Sequence, residues 1–384
     1  MNPALVPILF GRPGWVPLGA TLAFDFTKGA GWSGGSVKPA AGLLTATTGN
    51  GWSDNNAGIY RLFNTNQPRI TDKGILSEET RTNVVLHNRD LTNVAWTASN
   101  VTAAKTQVGV DGVANSASSI TATSSAGTIT QAITLGSSAR YQSVFAKRLV
   151  GAGTLEMSMD GGSTYTDITP AGTDWLRKTI ATQTLANPEP RFRLQTSGDS
   201  FAIDFVQNEN GIFATSPIAV TTVAVTRSAD NIAVTSPPAL SAGYTLFGQA
   251  VPNIAAAANA NAQNVVQADA GSGANRLLMR RVATSGGRLA ALVGGTGATI
   301  LTSATEWVAG TRSKWATGVE AGSQASSVDG AAVSATSAAT LPTAPTALRI
   351  GVNSGATEQF NGYIERIAVF PFRLANAQLQ ALTA

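Results

Sequence analysis

Few side chains in this 384-residue sequence could carry out catalytic chemistry. The sequence contains no cysteine and a single histidine, His87. Disulfides, thiolate metal sites and cysteine nucleophiles are therefore excluded, and a catalytic triad would have to use His87 alone. The sequence also lacks the Gly-x-Ser-x-Gly, His-Glu-x-x-His and phosphate-binding glycine-loop motifs. We expect His87 to have a structural role.

Paired carboxylates are the next possible source of catalysis. A glycosidase needs two acidic side chains about 5–10 Å apart. The nearest pairs along the chain are Asp160 with Asp167 and Asp199 with Asp204. Because Asp160 and Asp199 lie in predicted turns, where aspartate bonds the local backbone, we predict that the chain is not an enzyme. A glycan-degrading enzyme remains an alternative hypothesis.

Aromatic side chains offer a third kind of chemistry, because an exposed ring can stack on a sugar and nearby polar groups can bind its hydroxyls. The candidates for carbohydrate binding are Tyr165, Trp307 and Trp315. Tyr165 lies beside a predicted Asp-Gly-Gly turn and is the best candidate for an exposed ring. Large aromatic residues are usually buried, so packing in a core is the competing interpretation for each of them.

The composition limits the partners of the chain. Of its residues, 43% are hydrophobic and only 12% are charged, and the formal net charge is +4. Arginine and lysine occur in pairs rather than in runs, so we expect no nucleic-acid-binding surface. No apolar run approaches the roughly 20 residues that a membrane-spanning helix needs, so we expect no membrane insertion.

Alternation of apolar and polar residues predicts the strands that must position these side chains. Between residues 71 and 236, apolar residues recur at every second position, and turns separate the runs at intervals of about 8–12 residues. This spacing is typical of an all-β sandwich. The apolar faces of the predicted strands include Leu155, Met157 and Met159, then Phe192 and Leu194, then Phe201, Ile203 and Phe205.

The same signals divide the rest of the chain. Residues 23–70 are interpreted as a small β region of short strands joined by glycine-rich turns. Ser236-Pro237-Pro238 is interpreted as a linker, and residues 239–384 as a second sandwich. That sandwich contains a predicted hairpin at Asp329-Gly330 and a short helix that begins near Asn376. The predicted fold class is all-β, with two tandem sandwiches.

Two phrases in the sequence are distinctive. The first consists of Gly74-Ile75-Leu76, Glu78-Glu79, Arg81-Thr82-Asn83, Leu86, Asn93 and Ala95-Trp96, and the second of Phe205–Glu209, Gly211, Phe213–Ile218 and Val225–Asp230. They resemble, in this order, the segments that open and close a β-sandwich module in structural proteins of tailed bacteriophages. That module is similar to jelly-roll carbohydrate-binding modules. The Asp329-Gly330 hairpin and the ending from Phe360 to Leu382 resemble a laminin-G or concanavalin-like jelly roll.

The resemblance implies a domain plan and a set of residue roles. Both sandwiches would be jelly rolls, and Trp96 and Trp175 would pack in the core of the first. No cofactor is implied except a structural calcium ion, because such domains often hold one through carboxylates. The candidate calcium ligands are Asp160, Asp167, Asp174 and Asp230.

The resemblance also implies a place of action. The protein would be made in the host cytoplasm and carried on the surface of the virion, as a tail fibre, spike or head fibre. It would form a homotrimer, and its distal sandwiches would contact host-surface glycan. Alternatively, it would be a capsid decoration protein with no specific ligand. The sequence does not distinguish a head location from a tail location.

An apolar arm precedes the predicted sandwiches. Residues 1–22 contain four prolines, which disfavour a helix and favour extended chain. One interpretation is that the arm packs on its own domain. The other, which we prefer, is that it anchors the protein to a capsid, tail or baseplate protein. The candidate anchor residues are Leu5, Ile8, Leu9, Phe10 and Trp15.

Overall fold

The computed structural model describes residues 12–254, 261–281, 288–293, 299–337 and 339–384. The expected all-β fold is confirmed, because nearly all regular structure is strand. The described residues contain one α-helix, α1 at Asn376–Thr383, and short 3-10 helices at Phe26–Lys28 and Ala40–Leu43. In these ranges no helix is long and apolar enough to cross a membrane.

The strands are numbered along the chain. They are β1 Leu22–Asp25, β2 Ala30–Ser33, β3 Ser36–Pro39, β4 Leu44–Thr47, β5 Gly51–Asp54, β6 Tyr60–Phe63, β7 Ile70–Thr71, β8 Gly74–Ser77, β9 Arg81–Asn83, β10 Thr97–Ser99, β11 Val101–Gln107, β12 Ala117–Ala122, β13 Gly127–Thr130, β14 Ser138–Val150, β15 Leu155–Ser158, β16 Thr166–Asp167, β17 Leu176–Leu185, β18 Arg191–Leu194, β19 Ser200–Asn210, β20 Val225–Arg227, β21 Asn231–Val234, β22 Gly243–Pro252, β23 Gln263–Asp269, β24 Arg276–Arg281, β25 Arg288–Val293, β26 Thr299–Glu306, β27 Ser313–Glu320, β28 Ser323–Val328, β29 Ser334–Thr336, β30 Ala347–Ile350 and β31 Gly362–Phe370.

The chain folds into two compact units that are interleaved in sequence. Unit 1 comprises Met1–Thr48, Asn66–Glu79 and Ala229–Ala384, and unit 2 comprises Gly49–Thr65 and Thr80–Ser228. The predicted boundaries therefore need correction, because residues 71–79 and 229–236 belong to unit 1 rather than to the first sandwich.

Unit 1 is a sandwich of two antiparallel sheets. The larger has ten strands, in the order β29-β28-β27-β22-β31-β1-β2-β3 with β8 and β7 attached beside β31. The other has seven, in the order β26-β25-β24-β23-β30-β21-β4. Apolar residues from both sheets meet in one core, because alternate side chains of each strand point inward.

The predicted small β region at 23–70 does not exist as a separate unit. Strand β1 pairs with the C-terminal strand β31, with Leu22 opposite Val369, and β4 pairs with β21. The hairpin of β5 and β6 belongs to unit 2. The physical reason is that strands of four residues are too short to form a stable sheet by themselves and gain stability from long partners.

A second apolar layer covers the outer face of the ten-stranded sheet. Leu374 and Leu379, before and within α1, pack there together with Val16 and Ala20 of the predicted arm. Trp15 is partly buried against the same layer. This part of the arm therefore packs on its own unit, whereas Leu5, Ile8, Leu9 and Phe10 lie outside the described residues.

A buried ion cluster holds the middle segment of unit 1 in place. The Arg69 guanidinium donates to Glu78 at 2.8 Å and also to Asp230. The backbone N–H of Glu78 donates to the Asp230 carboxylate at 2.8 Å, and the Asp230 N–H donates to the Glu78 carbonyl at 2.9 Å. These bonds join the residues that immediately precede and follow the main insertion of unit 2.

Unit 2 is also a sandwich of two antiparallel sheets. One contains β11-β12-β19-β14-β17, with β9 beside β19 and β20 beside β9, and the other contains β10-β13-β18-β15-β16. Leu155, Met157, Phe192 and Leu194 are all fully buried between them, as the alternation predicts. The two distinctive phrases of the sequence contact each other where the chain enters and leaves unit 2, because Arg81-Thr82-Asn83 pairs with Val225-Thr226-Arg227.

A bulge in β19 changes one predicted face. Phe201 and Ile203 point into the core as expected, but Phe205 adopts a φ of 45° and the register against β14 shifts there. The extra residue turns Phe205 to the outer face and returns Val206 to the core. The prediction that Phe205 shares a face with Phe201 and Ile203 is therefore wrong.

The β5–β6 hairpin packs on the outer face of this same sheet. Trp52 contacts Phe205 edge-on, with ring centroids 5.1 Å apart, and Tyr60 contacts Phe145 in the same way at 5.1 Å. The bulge is what makes this packing possible, since it presents Phe205 to the hairpin.

Candidate functional site

Two of the predicted sugar-binding residues are core residues. Trp307 and Trp315 are only 3% and 1% exposed. Their rings pack edge-on with centroids 5.8 Å apart, and Trp307 also contacts Phe360. The prediction for Trp307 and Trp315 is therefore wrong, because neither ring has a face that a sugar could reach.

The two tryptophans predicted to be core residues differ from each other. Trp96 is buried in unit 2 and packs near Phe192, as expected. Trp175 is instead partly exposed on the outer face of the seven-stranded sheet of unit 2, where the Lys147 ammonium lies 4.9 Å from the Trp175 ring centroid. Its indole N–H donates to the Val108 carbonyl. The core prediction is wrong for Trp175, because the loop that precedes β17 lies outside the sandwich.

Tyr165 is the predicted residue whose ring remains accessible. It is half-buried on the outer face of the five-stranded sheet, in the loop between β15 and β16. The Arg193 guanidinium stacks over the ring, 3.6 Å from its centroid. A side chain at Gly162 would lie 2.6 Å from the Tyr165 hydroxyl oxygen, so the glycine allows the turn and the ring to approach each other.

The turn beside Tyr165 is fixed by Asp160. The Asp160 carboxylate accepts a hydrogen bond from the Ser158 hydroxyl at 2.6 Å and another from the Thr164 backbone N–H at 2.9 Å. Gly161 and Gly162 follow with positive φ angles of 73° and 91°. The turn predicted for these residues is confirmed, and it positions Tyr165 above the sheet.

Hydrogen-bonded charged and polar side chains lie on one side of the Tyr165 ring. The Arg193 Nε donates to Glu156 at 2.6 Å, and the Gln195 amide donates to the same carboxylate oxygen at 2.6 Å. The hydrogen bond that Arg193 donates to Glu156 raises the pKa of Arg193, so this guanidinium is held charged against the ring. The geometry fixes the plane of Arg193 and thereby of the stack.

A second pair extends the polar surface. Arg191 donates to Glu189 at 2.6 Å, and the Thr130 hydroxyl donates to the same oxygen at 2.8 Å. The hydrogen bond from Arg191 lowers the pKa of Glu189. The Nε of Arg191 is buried and has no hydrogen-bond partner in the described structure. Arg191 and Arg193 share a face of β18 because Phe192 between them points into the core.

This surface combines the groups that recognise a neutral polar ring. We define the Tyr165 surface as Tyr165, Arg191, Arg193, Glu156, Glu189 and Gln195. It offers an aromatic edge, planar guanidinium donors and carboxylate acceptors in a fixed arrangement. Most of its charge is internally paired, so it is suited to hydroxyl groups rather than to a single charged atom.

The sequence contains a pattern that places Arg191 and Arg193 on the outer face of one strand. In the run Arg191-Phe192-Arg193-Leu194, the apolar members predict the core face, and the same alternation places both arginines on the opposite face. The contact between that face and Tyr165 could not be predicted from the sequence, since the arginines lie on β18 and Tyr165 lies in the loop between β15 and β16.

The proposed calcium ligands do not form one site. Asp230 is buried against Arg69 in unit 1, whereas Asp160, Asp167 and Asp174 belong to unit 2. Asp167 is exposed and accepts a hydrogen bond from the Thr169 backbone N–H. Among the residues described, no three acidic, histidine or cysteine side chains are grouped so that they could hold a metal ion.

The remaining candidates for chemistry have structural contacts. Asp204 is fully buried and accepts hydrogen bonds from Arg89 at 2.7 and 3.0 Å. Asp199 is buried 3.9 Å from Arg148. His87 has a φ of 45° in a turn, and its carbonyl accepts the Trp96 indole N–H.

A groove of about 740 Å³ opens elsewhere, in unit 1. Leu18, Trp32 and Pro238 are among its lining residues, and its walls are mostly apolar. The Tyr165 surface, which brings charged and polar side chains together beside an aromatic ring, is the better candidate for a sugar site.

The comparisons with known proteins concern overall structure. No protein-family model and no curated protein matches the chain. The CBM40 module of the Ruminococcus gnavus IT-sialidase, bound to α2,3-sialyllactose, is similar with 14% identity and a TM-score of 0.32, over 40% of this chain and 96% of that one. Domain 4 of AbnA, a GH43 extracellular arabinanase from Geobacillus stearothermophilus in complex with arabinotriose, has 14% identity and a TM-score of 0.32, over 41% and 73%. Domains LG4-5 of the mouse laminin α1 chain have 9% identity and a TM-score of 0.26, over 67% and 94%.

Proposed function

We propose that unit 2 binds host-surface glycan through the Tyr165 surface, and that the protein is a virion surface protein of a tailed bacteriophage. The observation that carries the glycan proposal is the half-buried Tyr165 ring with Arg193 stacked 3.6 Å from its centroid. An ordered aromatic ring surrounded by fixed donors and acceptors is the arrangement that sugar rings require.

The virion proposal is supported by the two phage-like phrases. They are distant in sequence, yet Thr82 pairs with Thr226 and their hydroxyl oxygens are 2.7 Å apart. The two phrases resemble the opening and closing segments of one sandwich module. They lie on adjacent strands, as is expected if they open and close a single module. In this proposal the chain forms a homotrimer and its N-terminal arm attaches to other virion proteins.

The glycan proposal is tested by binding of the purified chain to a glycan array and by calorimetry on any sugar that binds. Tyr165→Ala is expected to reduce affinity about tenfold or more, while Tyr165→Phe retains most of it, because the ring rather than the hydroxyl makes the contact. Equal binding by wild type and Tyr165→Ala, with unchanged melting temperatures, would contradict the proposal. An array without any binding would favour the decoration protein.

The attachment proposal is tested by deletion of residues 1–11. The deletion must stop before Arg12, because Val16 and Ala20 pack on unit 1 and Leu22–Asp25 is a strand of its sheet. The expected result is a folded protein that no longer joins phage particles. Normal incorporation would contradict the anchor role, and sedimentation of the intact chain as a monomer would contradict the trimer.

A further inference from the structure

The groove in unit 1 lies where the segment before β1 passes beside the turn of the β2–β3 hairpin. Its volume of about 740 Å³ is within the range of roughly 300–1,000 Å³ that is usual for small-molecule sites. All of the residues that line it belong to unit 1. They are Arg12, Leu18–Leu22, Trp32–Gly35, Ser236 and Pro238.

The size of the groove favours a small molecule over a protein partner. A stable protein–protein interface takes about 20–30 residues from each side. The groove is lined by only twelve of the described residues. A ligand that fills it would therefore be a single molecule of modest size.

The walls of the groove offer apolar surface that a ligand could cover. Leu18 is 84% exposed, and Phe372, which lies against the lining residue Gly19, is 44% exposed. Leu22 and Trp32 also line the groove but are buried in the fold, so they limit its depth. Removal of the exposed apolar surface from water would favour binding of an alkyl chain.

Arg12 is the charged residue among those that line the groove. Its Nη2 donates to the Val16 carbonyl at 2.8 Å, which orients the guanidinium. Arg69 in the same unit is held by Glu78 and Asp230, but no carboxylate of the described residues pairs with Arg12. Burial lowers the pKa of Arg12, and no neighbouring acid opposes that shift. Arg12 is only half-buried, so an anion in the groove can approach it.

We propose that this groove, which we call the Arg12 groove, binds a single-chain anionic amphiphile of the fatty-acid type. The carboxylate would lie on Arg12, because a guanidinium can donate two parallel hydrogen bonds to it. The alkyl chain would cover Leu18 and Pro238. The hydroxyls of Ser33 and Ser236, which make no hydrogen bond to another described residue, are further donors in the groove.

The combination of groups selects this class of ligand. A purely apolar molecule would leave the charge of Arg12 uncompensated, which is unfavourable in an apolar groove. A small anion would leave the apolar walls exposed to water. The Arg12 groove is independent of the Tyr165 surface, which belongs to unit 2.

The test is calorimetry of the full chain with three probes, namely decanoate, decyltrimethylammonium and acetate. The two amphiphiles are kept below their micelle concentrations. Decanoate is expected to bind with one molecule per chain. Decyltrimethylammonium, with a similar chain and the opposite charge, and acetate, the headgroup alone, are expected not to bind at the same concentration.

Two variants test the two halves of the site. Arg12→Gln is expected to weaken decanoate binding on the order of tenfold or more, because charge-assisted hydrogen bonds are lost. Leu18→Ser is expected to weaken it about fourfold or more, because the alkyl chain loses an apolar contact. Both variants should melt like wild type, since Leu18 is exposed and Arg12 bonds only to Val16 among the described residues.

The control is Lys38→Gln, which removes an exposed cation of unit 1 that does not line the groove. It is expected to bind decanoate like wild type. The proposal is overturned if decanoate does not bind, if decyltrimethylammonium binds equally, or if Arg12→Gln binds like wild type. Equal weakening by Lys38→Gln would also overturn it, since that result indicates non-specific attraction. A chain without residues 1–11 is measured in parallel, and decanoate binding by that chain alone would assign the groove to those residues instead.

Discussion

Asn83 shows how one side chain can explain a sequence phrase. It is fully buried in unit 2 and makes four hydrogen bonds of 3.1 Å. Its amide donates to the carbonyls of Val206 and Ile218, and its oxygen accepts the backbone N–H groups of Val85 and Asn208. Only an amide offers this combination of donors and acceptor, so asparagine is required where the chain enters the unit.

Replacement of Asn83 by leucine should therefore destabilise unit 2 strongly. The change leaves four buried backbone groups without partners, and we expect a loss of roughly 3–5 kcal/mol in the free energy of unfolding. The neighbouring control, Thr82→Val, removes only the exposed bond to Thr226 and should cost less than about 1 kcal/mol. Urea unfolding of both variants measures the difference, and similar losses would refute the role given to Asn83.

The buried pair of Arg89 and Asp204 predicts a dependence on pH. Burial raises the pKa of Asp204, and the bonds from Arg89 oppose that shift. Arg89→Met leaves the carboxylate without this cation and should lower stability at pH 7 by roughly 3–5 kcal/mol. Because the folded pKa lies above the unfolded value of 3.8, protonation stabilises the folded state as pH falls toward 4. The deficit should shrink over that range in denaturant unfolding, and a constant deficit would contradict this account.

At the scale of elements, alternation predicted which residues are buried better than it predicted where strands end. Strand β15 and the buried faces of β15 and β18 follow the pattern directly. Strand β13 ends at Thr130, although apolar residues continue to recur at Ile133 and Leu135. The Gln131 side-chain amide donates to the Leu86 carbonyl instead. The bulge at Phe205 has no local signal, since the hairpin that needs it comes from residues 51–63.

The candidate sugar site was also only partly predictable from the sequence. The turn chemistry of Asp160-Gly161-Gly162 pointed to Tyr165, and the fold added Arg193 and Glu156 from separate strands. Trp307 and Trp315 were wrongly assigned because residue type alone does not show whether an aromatic ring faces the core or the solvent.

The short strand β8 depends on a glycine at its first position. Gly74 has a φ of 125°, and a side chain there would collide with the Ile364 carbonyl of β31. Gly74→Ala should therefore lower the stability of unit 1 by about 2–4 kcal/mol. Gly42→Ala is the matched control, because no atom lies within 4 Å of the added group and φ is not positive. Thermal unfolding should separate the two, and an unaffected Gly74→Ala variant would contradict the close packing.

At the scale of the whole molecule, a reading along the chain could not show that unit 1 is discontinuous. Local patterns identify strands, but they do not show that Leu22 pairs with Val369. Each segment of unit 1 therefore looked like a separate region, and the linker-like Ser236-Pro237-Pro238 strengthened that impression.

Fragments test this division. Residues 239–384 alone lack β1, β4, β8 and β21, which complete both sheets of unit 1, so this fragment should be unfolded. Residues 80–228 contain both sheets of unit 2 and should fold, with reduced stability because the β5–β6 hairpin is missing. Circular dichroism and proton chemical-shift dispersion would report both outcomes. A cooperatively folded 239–384 fragment would refute the discontinuous unit.

The pairing of the first strand with the last also sets an order of events during synthesis. Strands β1 to β4 leave the ribosome long before β31 has been synthesised, so their apolar faces remain exposed during that time. Unit 2 is complete once Ser228 has emerged and can fold while translation continues. Unit 1, whose sheets are completed last, therefore carries the risk of aggregation. Slower translation would lengthen the time for which its apolar strand faces are exposed.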